Sequence, residues 1–349
     1  MLAGPASLVP PKTLEAIRTR VHFAAIGSDD LRFLSVSWVF SRPGNSVAPY
    51  DQHRPGCLHE HDGGARAARD RGVHGGGALS ARLRGIAQQT EQIVAAGFYR
   101  LPDGREVSVA APTSAARAGT RMFGPEPVAV PPWEPARTVV EVTGESSLEA
   151  ARRLGGNPAV LNFASARNPG GGYLNGAQAQ EEALCRASAL YTCVREAPDF
   201  YGHHRAHRDP FYTDRVIHSP GVPVFRDDRG RLLDEPYLCG FLTAAAPNAG
   251  VVRRTTPERA GELPRALAAR AERVLEVAAA EGYRRLVLGA WGCGVFQNDP
   301  AQVAGAFDAL LRPGGRFGTA FEHIVFGVLD RTPAGAVRGA FEKVFQVQP

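Results

Sequence analysis

Two adjacent carboxylates beside a run of glycines carry the strongest chemical signal in this sequence. Asn168-Pro169 leads into Gly170, Gly171 and Gly172, and a seven-residue spacer separates these from Gln180-Glu181-Glu182. A glycine triplet has no side chains and reaches positive φ, so its amides can close on an anionic or sugar ligand. The run from Gln178 to Arg195 reads as one helix, because Leu184, Ala187, Tyr191 and Val194 recur at three- and four-residue spacing. Gln180, Glu181 and Glu182 then stand in its first turn, next to the glycines. A carboxylate beside a phosphate-cradling loop suits cleavage of a glycosidic bond in a nucleotide-sugar. The plainer reading is that both acids only complement the helix dipole.

A second glycine-rich stretch runs from Gly289 to Pro300. It leaves an apolar strand and enters a helix with proline near its start, so its amides face one point. Gly292, Cys293, Gly294, Val295 and Phe296 are the candidate contacts to a diphosphate. Phe296, between glycines and Asn298-Asp299, is a poor candidate for deep burial. Cys293 reads as a small filler, since no histidine stands next to it in sequence to make a thiolate.

The elements that must position these loops follow from periodicity. Leu83, Ile86, Ala87, Ile93 and Val94 give an amphipathic helix from about Ser80 to Gly97. Phe98–Leu101 and Glu106–Ala110, around Pro102-Asp103-Gly104, predict a hairpin. Pro112 to Pro135, rich in proline and alanine, reads as a surface connection with short elements. Thr138–Val142 and Pro158–Phe163 predict strands, with a capping box at Ser146-Ser-Leu-Glu149 between them. Further strands are predicted at Arg215–Ser219, Tyr237–Ala245, Arg285–Ala290 and His323–Leu329. Helices are predicted from Leu263 to about Gly282, at Pro300–Leu311 and at Pro333–Phe345. Such alternation predicts an α/β fold: a three-layer α/β/α domain with a mixed, mostly parallel sheet. In such sheets ligands bind beyond the carboxyl ends of the strands, where both glycine loops fall.

Composition sets outer limits. The chain has 349 residues, 44% of them hydrophobic, with a formal net charge of +5 and a pI of about 9.1. A mildly basic surface suits polyanions. No dense Lys/Arg run with interleaved aromatics occurs, so no direct contact with nucleic acid is expected. Cys57, Cys185, Cys193, Cys239 and Cys293 are odd in number and widely spaced, which argues for a reducing compartment. The apolar run Leu34–Phe40 is too short to span a bilayer, and no secretory signal is legible near the start. The cytoplasm and a monomeric state are the expectations.

Residues 1–78 read as an N-terminal extension, largely disordered, apart from a short element at Leu31–Phe40. Within it Cys57-Leu-His59-Glu-His61 has metal-ligand residue types but no second cluster, so no metal site is expected there. Gly75–Gly77 reads as a linker. His203, His204 and His207 read as a polar surface or loop segment, without carboxylates or cysteines to complete a metal site.

The combination Asn-Pro-Gly-Gly-Gly, seven residues, then Gln-Glu-Glu resembles the signature of poly(ADP-ribose) glycohydrolases, in particular the compact bacterial type built on a macro domain. The resemblance runs from about Ser80 to the C-terminus, with further matches at Leu161–Asn168 and Gly289–Asp299. It implies hydrolysis of the ribose–ribose bonds of poly(ADP-ribose), release of ADP-ribose from the chain end, and ADP-ribosylated proteins as partners. It implies no cofactor and no metal. It assigns Glu182 the acid/base role and Glu181 the orientation of a ribose hydroxyl. It places Phe296 against the terminal ribose and 292–296 on the diphosphate. It also implies that residues 79–135 form an accessory layer on a domain spanning 79–349. Where macro domains carry Asn-Ala-Ala-Asn, this chain has Asn162-Phe-Ala-Ser165, and Asn168 is taken as the sugar contact. Glu145 stands where the macro-domain acid reads the adenine amine, or merely precedes the helix cap. Two other readings stay open: a non-catalytic ADP-ribose-binding macro domain, and a hydrolase of mono-ADP-ribosyl or O-acyl-ADP-ribose esters.

Overall fold

The computed structural model describes residues 73–345, all within one compact unit, Ala65–Pro349. The element expected at Leu31–Phe40, the Cys57–His61 group and most of the 1–78 extension lie outside the described residues.

The first helix, α1 (Val73–Ala96), begins ahead of the expected boundary, so Gly75–Gly77 form its opening turns rather than a linker. It ends at Gly97, whose φ of +80 only glycine adopts freely. The hairpin of β1 (Phe98–Arg100) and β2 (Glu106–Ser108) follows, antiparallel as predicted. The stretch read as a surface connection holds α2 (Ala110–Gly119) and β3 (Arg121–Phe123). Pro112 hides this helix from a proline-based reading, yet in a first turn its missing N–H costs nothing.

The main alternation begins at β4 (Val139–Thr143) and α3 (Ser147–Leu154). The capping box is formed: Glu149 N–H donates to Ser146 Oγ at 3.1 Å, and Ser146 N–H to Glu149 Oε2 at 3.0 Å. Next come β5 (Ala159–Phe163), α4 (Gln180–Ala187), α5 (Leu190–Val194) and α6 (Pro198–Ala206). The single helix expected over Gln178–Arg195 is therefore two. At Ser188 the backbone turns extended and bridges to Val224, while the Ser188 hydroxyl donates to Leu184 O and accepts Leu190 N–H. A serine that satisfies its neighbours' backbone groups allows the helix to stop.

The chain continues through β6 (Val216–Arg226), β7 (Leu232–Ala244), α7 (Ala249–Thr255), α8 (Leu263–Ala280), β8 (Arg285–Leu288), α9 (Pro300–Leu311), β9 (His323–Gly327) and α10 (Ala336–Phe345). β6 and β7 form an antiparallel pair much longer than the two strands predicted there. Register shifts at Ser219/Val222 absorb Pro220 and Gly221, which had masked it.

The sheet has seven strands in the order β3-β6-β7-β5-β8-β9-β4. The block β7-β5-β8-β9-β4 is parallel, and β3 and β6 are antiparallel additions. Val160, Ile217, Phe241, Val287 and Val325 point to one face and pack with α3 to α6. Leu161, Val216, Leu242, Leu286 and Phe326 point to the other and pack with α8 to α10. Alternate residues thus serve opposite cores, which is why these strands read as unbroken apolar runs. The result is the expected three-layer α/β/α arrangement.

Three contacts tie α1 to the glycine motif. Tyr173 Oη lies 3.1 Å from Ala87 O and 3.0 Å from Glu91 Oε1, and Thr90 Oγ1 donates to Arg186 O at 2.8 Å. No described helix is long and apolar enough to cross a membrane.

Candidate active site

The carboxyl end of β5 supplies the floor of the site. Asn162, the buried penultimate residue of that strand, donates from Nδ2 to Glu181 Oε1 (3.3 Å) and Thr243 Oγ1 (3.1 Å). Ser165 N–H donates to Glu181 Oε2 at 2.7 Å. Glu181 is 2% exposed, and burial pushes its pKa up to about 8 against the pull of the Ser165 and Asn162 hydrogen bonds. Burial thus favours the protonated form of this carboxyl.

Glu182, the next residue, points about 100° away around the helix. Its Oε1 accepts Gly172 N–H at 2.8 Å, and its buried Oε2 has no partner among the described residues. Gly171, at φ +57, passes so close that a Cβ there would run into Glu182 Oε1. Only glycine meets both demands.

Gln180, expected as a substrate contact, lines the cavity described below and also braces the local fold. Its Oε1 accepts Phe163 N–H (2.9 Å), and its Nε2 donates to Leu161 O (2.8 Å) and Ser147 Oγ (3.0 Å). The amide is spent on locking α4 to the end of β5. Glu145 departs from expectation: Arg153 clamps both its oxygens, at 2.9 and 2.8 Å, and it does not line the cavity described below. This guanidinium holds the Glu145 carboxyl below its ordinary range. Gly170 is buried, and its open side faces the Tyr191 ring rather than the cavity. Asn168 is exposed at the rim, its amide donating to Ser165 Oγ at 3.3 Å.

The second loop leaves β8 and is braced from below. Trp291 is buried and donates Nε1–H to Ala244 O at 3.0 Å. Asn298 donates from Nδ2 to Pro247 O (2.8 Å) and Gly292 O (3.3 Å). Gly250 N–H, in α7, donates to Phe296 O at 3.0 Å. Held this way, the consecutive amides of Gly294, Val295 and Phe296 find no acceptor among the described residues. The N-terminus of α9 is already capped, Asp299 Oδ1 accepting Gln302 N–H at 2.9 Å, and a run of amides without acceptors is an arrangement that can receive an anion. Val295 is 80% exposed, and Phe296 is half-buried with its ring 5.9 Å from Tyr212. Burial pushes the Cys293 thiol up to about 12, which rules it out as a thiolate at neutral pH.

These parts share one cavity of about 1250 Å³ over the carboxyl ends of β5, β8 and β9. Asn168, Gly171, Gly172, Gln180, Glu181, Glu182 and 292–296 all line it; Gly170 and Glu145 do not. Among the lining residues that escaped the sequence reading are Arg167 and Tyr212. Arg167 has a buried Nε without a partner among the described residues, and its guanidinium lies 6.0 Å from the Tyr212 ring centre. Tyr212 is held at φ +57, its amide donating to Asp209 O at 3.1 Å. A strained aromatic in a loop has no sequence signature, whereas Arg167 lay within a matched stretch. The histidine group is not a loop: it spans α6 and its cap. His204 is buried, bonded through its ring to Phe200 O and Thr213 Oγ1, and burial lowers its pKa to about 4.

The family description "microbial-type PARG, catalytic domain" matches residues 87–227. A search of curated proteins returned no match. Among solved structures, poly(ADP-ribose) glycohydrolase from Thermomonospora curvata is 48% identical, over 76% of this chain and 100% of that one, with a TM-score of 0.71. The same enzyme bound to the inhibitor ADP-HPD gives 48%, 76%, 100% and 0.69. Poly(ADP-ribose) glycohydrolase from Deinococcus radiodurans in complex with ADP-ribose is 44% identical, over 72% of this chain and 100% of that one, with a TM-score of 0.63.

Proposed function

The chain belongs to the bacterial poly(ADP-ribose) glycohydrolase family, and from that premise we propose that it hydrolyses the ribose–ribose bonds of poly(ADP-ribose) and releases ADP-ribose, with Glu182 as general acid and base. The observation that carries this reading is the state of Glu182. Among the described residues, one oxygen is fixed by the Gly172 amide and the other has no partner, in a cavity that also holds the amides of Gly294, Val295 and Phe296 without acceptors.

The amides of Gly294, Val295 and Phe296 receive the diphosphate, and the Phe296 ring backs the terminal ribose. Glu182 gives its proton to the leaving 2′ oxygen as the C1″–O2′ bond breaks. The oxocarbenium-like sugar is then attacked by water, whose proton returns to Glu182. Glu181, its protonated form favoured by burial, donates to a ribose hydroxyl and fixes the ring. Asn168 contacts the sugar from the rim.

The wider setting is part of the same proposal. The chain acts as a monomer in the cytoplasm, on polymer attached to ADP-ribosylated proteins, including polymer made in response to DNA damage, and it works from the chain end. The free thiols of Cys185, Cys193, Cys239 and Cys293 support a reducing compartment.

The test is incubation of the full chain with purified poly(ADP-ribose). Free ADP-ribose as the product supports the proposal. Binding without release would make the protein a reader, and release only from mono-modified substrates would make it a hydrolase of another linkage.

A further inference from the structure

We propose that the cavity continues past Glu182 into a second nucleotide subsite, between α1 and the β6–β7 turn, that binds the adjoining ADP-ribose unit on the leaving-group side of the bond. This rests on the glycohydrolase reading above and extends it from one unit of the polymer to two.

Continuity is the first argument. Glu182 is bonded to Gly172, where a Cβ would lie 2.7 Å from Ala177 Cβ, and Gly176 packs against the backbone of Ser80. Only the turn 172–177 therefore separates Glu182 from the N-terminal half of α1. From that helix Leu79, Arg82, Leu83 and Ile86 line the same cavity, facing Asp227–Gly230 of the turn. Size is the second argument. A pocket for one compact ligand holds roughly 300–1,000 Å³, and this one holds about 1250 Å³.

The chemistry of the extra lobe matches a nucleoside diphosphate. Leu79, Leu83 and Ile86 form an apolar wall, and Leu79 is 39% exposed. Arg82 donates to the Arg229 carbonyl at 3.0 Å and meets no carboxylate among the described residues. The Arg229 guanidinium has no partner among the described residues. The acids nearby are engaged: Asp227 pairs with Arg231 at 2.7 Å, and Asp228 hydrogen-bonds Ser146. Arg226 is likewise consumed, by Thr90, Gln89 and Gly230 O. Two guanidinium forks facing the groove thus meet no carboxylate among the described residues, the geometry that grips phosphate oxygens. Beyond the scissile 2′ oxygen the polymer presents an adenine and then a diphosphate, which meet the apolar wall and the arginines in turn.

The experiment compares two substrates in the full-length protein carrying both Arg82→Ala and Arg229→Ala. One is long poly(ADP-ribose). The other is an aryl α-ADP-riboside, whose leaving group is too small to enter the groove. The expected result is a KM for polymer raised about fivefold or more at unchanged kcat, with kcat/KM on the aryl riboside within about twofold of wild type. The wild-type KM for polymer should also climb more steeply with salt than that of the variant. An unchanged KM for polymer overturns the proposal, and so does an equal loss on both substrates. If the wild-type protein itself releases no ADP-ribose from polymer, the glycohydrolase reading falls first and takes this one with it.

Discussion

The amide of Gly172 donates to Oε1 of Glu182 at 2.8 Å while Oε2 of the same carboxylate is buried without a partner among the described residues. This asymmetry separates holding from reacting. Replacing Glu182 by Gln keeps the fixed oxygen and removes the proton carrier. Glu182→Gln should lower kcat on poly(ADP-ribose) by about 10²-fold or more, with ADP-ribose affinity by calorimetry near wild type. Retained turnover would exclude Glu182 from the proton transfers.

Gly171 offers a test of the same carboxylate from the backbone side. Its φ of +57 and its approach to Glu182 Oε1 leave no room for a methyl group. Gly171→Ala should cost about 1–3 kcal/mol of stability and lower kcat more than it raises KM. Thermal unfolding and steady-state kinetics read the two effects. A variant as stable and active as wild type would show that the loop is not held against the acid.

Glu181 should be visible in the pH dependence of stability. Burial raises the Glu181 pKa from 4.5 to about 8. The unfolded chain loses this proton near 4.5 and the native chain near 8, so the unfolded state binds fewer protons between those values. The stabilisation from this group is complete below about pH 4.5, declines as pH rises and is gone above about pH 8. Glu181→Gln should make the fall of unfolding free energy with pH shallower across that window, by at most about 1.4 kcal/mol per unit. Urea unfolding across the window measures it, and identical slopes for the two proteins would contradict a native-state proton on Glu181.

Asn298 lies behind the amide cradle, bonded to Pro247 O and Gly292 O. Asn298→Ala should loosen that loop, weakening ADP-ribose binding about tenfold with a smaller change in kcat at saturating substrate. Titration with ADP-ribose and with free adenosine distinguishes the effects. Only the ligand carrying the diphosphate should lose affinity, and equal losses would mean the loop does not grip phosphate.

Much of the parallel core was legible in the sequence because each of its elements announces itself locally. The Ser146–Glu149 box marks a helix start, and the strands from Ala159, Arg285 and His323 are apolar runs bounded by glycine or proline. The acids and both glycine loops were legible for a related reason: residue type and spacing alone define them. What escaped depends on distant partners. Ser188 breaks a helix because Val224 lies beside it, and Gln180, though it lines the cavity, has its amide bonded to the backbone of β5. Glu145 is drawn off by Arg153, eight residues along, and Tyr212 joins Phe296 from 84 positions away in the chain. Prolines concealed α2 and the length of β6, since each is tolerated only through a first turn or a bulge.

One last consequence concerns dissection. The glycine motif is anchored to α1 through Tyr173, Thr90 and Arg186, and α1 is encoded before any strand of the seven-stranded sheet. A fragment trimmed to begin at β4 would retain the whole parallel block and both loops, and by topology alone it would pass for a finished macro domain. It would nevertheless leave the Tyr173 hydroxyl and the Arg186 carbonyl stranded beneath Glu182. The smallest piece that works is therefore larger than the smallest piece that can be named as a fold.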